Sequence, residues 1–305
     1  MGILEVKQLY KRFGNREVLK GLDMDVPEHS IFGFVGKNGA GKTTTMKIIL
    51  GLLKPDSGSV TVCGEEVRYG ETKTNRNIGF LPDIPEFYGY MNPREYLMLC
   101  GEITGLPKEK IKSKSAELLE LVGLKDEKRK IGGFSRGMKQ RLGIAQALLN
   151  EPKLLICDEP TSALDPIGRK EILDILLAAK GNTTIVFSTH ILSDVERICD
   201  RIAVLHDGKL ALCGTISEIK KRRRHNGFII EFENENEAIL FENAKELKQP
   251  SISLSRDGNT VSVFLQDHEM DGNFLLNMLS QMHFLPLKFE VMEPTLESMF
   301  LEAVR

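Results

Sequence analysis

The chain has 305 residues, of which 41% are hydrophobic and 28% charged, and its formal net charge is -2. This length suits about two domains, and the composition is ordinary for a soluble globular protein, with no strong charge that would favour nucleic acid. The five cysteines lie far apart without a C-x-x-C pair, so neither a zinc site nor a disulfide framework is indicated. Residues 1–10 lack the apolar core of a signal peptide, and no apolar run approaches the ~18 residues that span a bilayer. A membrane role would therefore come through a partner.

Short β-like runs open the chain. Residues 3–9, 18–26, 59–62 and 78–81 are such runs, separated by turns rich in glycine and aspartate. Together they predict an antiparallel layer. The apolar run at 31–35 instead predicts a buried strand, and the helix formers at 43–50 predict a helix directly after the next loop.

That loop, GKNGAGKTT at residues 36–44, fits the phosphate-binding pattern G-x-x-x-x-G-K-[ST]. Its glycines let backbone N–H groups point at an anion, Lys42 would reach the β- and γ-phosphates, and the Thr43 hydroxyl can bind Mg²⁺. The predicted nucleotide-binding residues are Gly36, Lys37, Asn38, Gly39, Ala40, Gly41, Lys42, Thr43 and Thr44. A glycine-rich turn that binds nothing is the alternative, and the strand–loop–helix context counts against it.

Helical spacing replaces the β pattern at about 92–149, which predicts an inserted helical subdomain. Short, continuous apolar strands then return at 154–157, 184–187 and 202–205, separated by helices. This alternation is typical of a parallel α/β sheet covered on both faces. The sequence therefore predicts an α/β domain over residues 1–219.

A second change of composition comes at residues 220–226, where a basic run begins. The run could contact anionic lipid or an acidic protein surface, but a solvated linker is the favoured interpretation. Beyond it, strands are predicted at 228–232, 251–255, 261–265 and 287–291, and helices at 235–247, 272–282 and 294–304. Residues 227–305 would form a small α+β domain.

A phosphate loop alone leaves kinases, GTPases, helicases and transport ATPases open. The apolar strand at 154–157 leads directly into Asp158 and Glu159, at the strand end where ligands gather in a parallel sheet. Asp158 would be a Mg²⁺ partner, and Glu159 would polarise a water for in-line attack on the γ-phosphate. Two surface acids at a strand end are the alternative.

Two further polar residues are candidates for the site. His190 comes after the strand at 184–187 and can donate to the γ-phosphate, although such a histidine can equally be a helix-entry residue bonded to backbone. Asp165 precedes Pro166 and could simply cap the helix that opens there.

Residues 133–141, GFSRGMKQR, resemble the LSGGQ signature of the ATP-binding-cassette (ABC) ATPases. With GKNGAGKTT, LLICDEP, SALD and STH in the same order, the resemblance spans about residues 4–214. It implies a head-to-tail homodimer that holds two ATP molecules. In that dimer Ser135 and Gly137 of one subunit would cap the γ-phosphate bound by the other, and Asp165 of SALD would communicate between subunits.

The resemblance also assigns the adenine stacker to Phe13, with Tyr10 as the nearby alternative. Two departures from the family pattern stand out. The signature has Arg136 in place of a glycine and Met138 in place of a glutamine. Asp83 occupies a position that is usually glutamine and sometimes glutamate, where it could bind Mg²⁺ through water. The family docks its membrane partner on the loop that continues from here, residues 83–91.

Both departures, and the tail LESMFLE at 296–302, are similar to those of cassettes that serve separate permeases exporting drugs, antibiotic peptides, polysaccharides or sodium. The tail could also be an amphipathic helix packed on its own domain. The leading hypothesis is an ATPase subunit of an exporter, cytoplasmic and peripheral on the inner face of the membrane, with ATP and Mg²⁺ as ligands and no nucleic acid. A soluble regulatory or nucleic-acid-associated switch is the alternative, while a small-molecule kinase would not explain Ser135 or His190.

Overall fold

The computed structural model describes residues 2–71, 73–222, 226–265 and 272–292, together with Leu296, Glu297 and Met299. The chain forms two compact units, of which the first ends at Ile216 and the second begins at Ser217. Among the described residues, no helix combines the length and the apolar character that a membrane crossing requires.

A six-stranded sheet forms the centre of the first unit. Its strands, in sheet order, are β10 (Lys209–Thr215), β9 (Arg201–His206), β3 (Ile31–Val35), β8 (Thr184–Thr189), β7 (Leu154–Asp158) and β6 (Ile78–Leu81). Only β10 runs antiparallel to its neighbour. The strands β3, β7 and β8 are buried along their whole length, as their continuous apolar runs predict. Because these three strands are parallel, their carboxyl ends meet at one edge, beside the loop at 36–44.

Helices connect the parallel strands, since parallel neighbours need a crossover. They are α1 (Lys42–Ile49), α2 (Pro93–Ile103), α3 (Lys108–Leu121), α4 (Arg136–Leu148), α5 (Pro166–Ala179) and α6 (Leu192–Ile198). The predicted α/β class is confirmed, and α2, α3 and α4 occupy the range expected to be helical. The prediction that the run at 78–81 belongs to the antiparallel layer is wrong, because this run forms β6, parallel to β7. The helical insertion supplies the crossover that makes this pairing possible.

The antiparallel layer has the sheet order β2 (Arg16–Val26), β1 (Leu4–Phe13), β4 (Ser57–Val62) and β5 (Glu65–Glu66). The strands β1 and β2 extend beyond the predicted ranges and meet at a two-residue turn between Phe13 and Arg16. The pairing register of β1 shifts after Val6, and such irregularities break the two-residue alternation on which the prediction depends. Side chains of this layer, the large sheet and α1 share one apolar core, which includes Leu22, Phe32 and Met46.

The second unit has its own core around Phe232, Phe241 and Leu275. Its elements are α7 (Ile216–Arg222, which begins at the boundary), β11 (Asn226–Glu231), α8 (Glu235–Glu242), β12 (Ile252–Asp257), β13 (Thr260–Leu265), α9 (Gly272–Gln281) and β14 (Lys288–Val291). The strands form an antiparallel sheet in the order β12-β13-β11-β14. This is the expected α+β arrangement.

Three predictions for the second unit need comment. The helix expected at 235–247 ends at Glu242, because Ala244 adopts an extended backbone before a short 3-10 turn. Residues 220–222 of the basic run form the end of α7, and residues 223–225 lie outside the described part of the chain. Most of the helix expected at 294–304 also lies outside it, although Leu296 and Met299 are buried.

Candidate active site

A cleft of about 470 Å³ opens at the carboxyl edge of the large sheet. It gathers residues from the glycine-rich loop, from α1, and from the ends of β6, β7 and β8. The predicted site residues that line it are Asn38, Gly39, Gly41, Lys42, Thr43, Thr44, Asp83, Asp158, Glu159 and His190. Groups far apart in the sequence therefore converge on one space.

The backbone of the loop takes the shape that an anion-binding nest requires. Gly39 and Gly41 both have positive φ angles, of 82° and 115°, and Gly41 directly precedes α1. Side chains rarely adopt such angles, so glycine is needed there. A Cβ atom on Gly36 would lie 2.6 Å from the backbone oxygen of Leu205. Lys37 and Ala40 close the turn through a backbone hydrogen bond of 3.1 Å, and the N-terminus of α1 directs N–H groups and a positive dipole end into the cleft.

Lys42 is the main buried cation of the cleft, with a side chain that is 5% exposed. Its Nζ donates to the Gly36 carbonyl oxygen at 2.7 Å and lies 3.1 Å from Glu159 Oε1. A buried ammonium group is costly unless it is paired. The carboxylate of Glu159 provides that pairing in this structure.

Asp158 is held by two hydroxyl groups. Thr43 Oγ1 donates to Oδ2 at 2.8 Å, and Ser188 Oγ donates to Oδ1 at 2.6 Å. The donor set suits Mg²⁺, because the Thr43 oxygen keeps lone pairs for a hard cation while its proton goes to Asp158. Within the described residues no cluster of three or more His, Cys, Asp or Glu could cage a metal ion, and Mg²⁺ typically relies on one or two protein oxygens plus substrate phosphates.

Glu159 adopts a left-handed backbone, with φ of 49°, immediately after β7. Its N–H points at Ser188, whose carbonyl oxygen lies at 3.2 Å and whose Oγ lies at 3.0 Å. Its Oε2 lies 2.9 Å from Nδ1 of His190, a half-exposed residue. A strained non-glycine residue held in this way is a frequent feature of functional sites.

Asp83 follows β6 and is held by the first turns of α4. Its Oδ1 accepts from Arg136 at 3.1 Å, and its backbone oxygen accepts from Gln140 Nε2 at 2.6 Å. Burial raises the pKa of Asp83, the Arg136 guanidinium opposes that rise, and the carboxylates of Asp158 and Glu159 add to it. Asp83 is thus a third carboxylate facing the same cleft.

The cleft also contains three residues that the sequence reasoning missed, namely Arg16, Val18 and Ser162. Arg16 pairs across β1 and β2 with Phe13, which is half exposed and lies beneath the ammonium of Lys11 at 5.4 Å from the ring centroid. Phe13 is not among the lining residues. The sequence feature that could have indicated Arg16 is its position just after the turn that follows Phe13.

Ser135, Gly137 and Asp165 are likewise absent from the lining of this cleft. Ser135 caps α4 and accepts from the N–H of Met138 at 3.3 Å. Asp165 caps α5 through Gly168, as one of the two interpretations expected.

Comparison with known proteins finds a family match for each of the two units. Residues 19–162 match the family model for ABC transporters, and residues 214–304 match the model described as ATP-binding protein DrrA1-3-like, C-terminal domain. Among curated relatives, the bacitracin transport ATP-binding protein BcrA of Bacillus licheniformis is 42% identical over 78% of each chain. The linearmycin resistance ATP-binding protein LnrL of Bacillus subtilis is 32% identical over 98% of this chain and 97% of its own.

A solved structure resembles the first unit. It is a dimeric, post-hydrolysis state of the ATP-binding cassette MJ0796 bound to ADP and Pi, with a TM-score of 0.63 and 26% identity. The match covers 70% of this chain and 98% of that one. These similarities do not favour the regulatory or nucleic-acid-associated alternative.

Proposed function

Because the chain belongs to the ABC transporter family, as an ATP-binding and ATP-hydrolysing subunit of an exporter, we propose that two copies close around two Mg²⁺–ATP molecules and drive a separate permease. The observation that carries this proposal is the convergence of Lys42, Asp158, Glu159 and His190 on one cleft. Each of them is within 3.1 Å of another polar group of the site.

Phosphate binding is the first role of the cleft. The N–H groups of residues 36–44 and the N-terminus of α1 receive the phosphate oxygens, and Lys42 exchanges Glu159 for the β- and γ-phosphates. Thr43 and Asp158 would hold Mg²⁺ directly or through water, with Asp83 acting through water, and the ion would supply positive charge to offset the charge that develops on the phosphates. Phe13 stacks on the adenine ring from the rim of the cleft.

Hydrolysis is the second role. Glu159 accepts a proton from a water molecule as the water oxygen attacks the γ-phosphorus, the bond to the β-phosphate oxygen breaks, and ADP and phosphate are formed. The contacts with Ser188 hold the backbone of Glu159, and His190 orients the Oε2 atom of Glu159. When His190 leaves this contact with Glu159, it donates a hydrogen bond toward the γ-phosphate. The attacking water is positioned only after phosphate has drawn Lys42 away from the carboxylate.

The second copy supplies the rest of the site. Ser135 and Gly137 lie at the exposed N-terminus of α4, where free N–H groups favour an anion. We propose that they contact the γ-phosphate bound by the partner, and that Asp165 communicates between the subunits. The solved cassette that is dimeric when bound to ADP and Pi supports the pairing of two copies.

The permease docks on the loop at 83–91, where Ile84, Tyr88 and Tyr90 are each more than half exposed. Such a cluster of apolar and aromatic side chains is typical of a protein interface. We place the subunit in the cytoplasm against the inner face of the membrane, with an ATPase domain at about 1–219, a basic linker at about 220–226 and an accessory domain at about 227–305. The names of the relatives support an antibiotic as the exported class.

A substitution that stops hydrolysis tests the proposal. Glu159→Gln removes the base and keeps a hydrogen-bonding side chain, so ATP should bind and the dimer should persist. We expect sedimentation to show an ATP- and Mg²⁺-dependent dimer of Glu159→Gln, and kcat to fall about 10²–10⁴-fold.

The matched control adds Ser135→Ala to Glu159→Gln, which should return the sedimentation to monomer while each chain still binds ATP. A Glu159→Gln protein with near-normal turnover would remove Glu159 as the base. A double variant that dimerises as strongly as Glu159→Gln would remove Ser135 from the interface.

A further inference from the structure

The two departures from the family pattern are in contact with each other. Arg136 donates through one guanidinium nitrogen to Asp83 Oδ1 at 3.1 Å, although the two residues are 53 positions apart. Each stands where an uncharged residue is the family norm. Relative to the family pattern, Asp83 adds a negative charge and Arg136 adds a positive charge. Together they leave the net charge at this edge of the cleft unchanged.

The charges around the cleft indicate what this ion pair does. Asp83 lines the same cleft as Asp158 and Glu159 and is the third carboxylate there. A polyphosphate entering such a site meets like charge, which weakens binding unless a cation compensates. Lys42 already compensates Glu159 at 3.1 Å. Among the charged groups near Asp83, Arg136 is the cation in direct contact with it.

A second contact with α4 fixes the backbone of the loop at Asp83. Gln140 is buried and donates to the backbone oxygen of Asp83 at 2.6 Å. Arg136 and Gln140 are four residues apart, so both lie on the same face of α4. The backbone of Asp83 is therefore held independently of the ion pair, and removal of the Arg136 charge should leave the loop in place.

We propose that Arg136 is a positioning residue that neutralises and orients Asp83 at the edge of the cleft, so that the nucleotide site tolerates a third carboxylate. This inference deepens the proposed function, since it takes the cleft as the Mg²⁺–ATP site. Arg136 acts through Asp83 of its own chain and not on the nucleotide of a partner.

A double-mutant cycle on the full-length protein tests the proposal. The variants are Arg136→Met, Asp83→Asn and the combination, and the readouts are the Kd of a nonhydrolysable ATP analogue with Mg²⁺ and the KM and kcat of ATP hydrolysis. Arg136→Met should raise Kd and KM about 2–5-fold, the scale of a partly exposed ion pair, because Asp83 is then uncompensated. In the Asp83→Asn background, adding Arg136→Met should change both values by less than about 1.5-fold, because the charge on which Arg136 acts is already gone.

Two further proteins make the outcomes distinct. Arg76→Met removes an exposed arginine that pairs with Glu65 instead of a cleft residue, and it should leave the Kd unchanged. Lys42→Met reports on the site itself: if it binds the analogue as well as the unsubstituted chain, the proposed ATP site fails and the inference fails with it. If Lys42→Met does weaken binding, the pairing is overturned by an unaffected Arg136→Met, or by an Arg136→Met effect that is as large in the Asp83→Asn background as in the unsubstituted chain. The second of these results would place the action of Arg136 elsewhere, for example on the partner's nucleotide.

Discussion

Lys42→Met should affect stability and nucleotide binding in separable ways. The ammonium of Lys42 and the carboxylate of Glu159 are 3.1 Å apart, with side chains only 5% and 13% exposed. Removal of one partner leaves the other charge buried without compensation, which is far more costly than removal of both. The combination Lys42→Met with Glu159→Gln should therefore recover stability that the single substitution loses.

The magnitude follows from the contacts. Breaking a fully buried pair costs roughly 3–5 kcal/mol, and we reduce this to about 2–3 kcal/mol because His190 still contacts Glu159 Oε2. For a unit of this size, each kcal/mol shifts Tm by about 2–4 °C, so Lys42→Met should lower Tm by about 4–12 °C. ATP affinity should fall about 10–150-fold or more, because Lys42→Met removes one charge-assisted hydrogen bond to phosphate, which is worth roughly 1.5–3 kcal/mol.

Thermal unfolding without nucleotide and equilibrium titration with a fluorescent ATP analogue provide the two measurements. The combined variant should regain most of the lost Tm but none of the lost affinity, since it still lacks the cation. A Tm for Lys42→Met equal to that of the unsubstituted chain would show that the ion pair does not stabilise the free protein. An affinity within 3-fold of the original would refute the phosphate-binding role.

Three other substitutions test different parts of the structure. Ser188→Ala removes a donor to Asp158, so kcat should fall about 10-fold and the free energy of unfolding by about 1–2 kcal/mol; unchanged turnover would contradict this support role. Phe13→Ala should raise the KM for ATP about 5-fold, as expected for the loss of stacking worth about 1 kcal/mol, whereas Tyr10→Ala should not; the reverse pattern would identify Tyr10 as the stacker. Gly79→Ala should lower stability by about 1–3 kcal/mol, seen in urea unfolding, because its methyl would lie 2.2 Å from a backbone oxygen of α4. A variant as stable as the original would mean that α4 shifts freely.

Local sequence was enough to predict the parts of the site that are continuous in the chain. The loop at 36–44 could be read because a strand, a glycine pattern and a helix follow one another directly. Asp158 and Glu159 could be read because an apolar strand points them toward the ligand edge. Such inferences need only the geometry of a parallel sheet.

Contacts between distant segments could not be derived in the same way. Nothing in the sequence indicates that Arg136 meets Asp83, since the approach depends on how α4 packs beside β6. The assignment of β6 to the wrong sheet has the same origin, because a four-residue apolar run looks alike in either sheet. Arg16 was not predicted as a site residue, because the hairpin of β1 and β2 is longer than its alternating pattern suggests.

Glu159 combines a strained backbone with a stabilising side-chain ion pair at a single position. A left-handed φ costs an ordinary residue roughly 1 kcal/mol that a glycine would not lose, and here it turns the carboxylate toward Lys42 and His190. Glycine would relieve that strain but would leave the buried ammonium of Lys42 without its carboxylate, and breaking such a pair costs more, about 2–3 kcal/mol. A search for thermostable variants would therefore retain Glu159, so the ion pair that stabilises the nucleotide-free chain also preserves the group that we assign as the base.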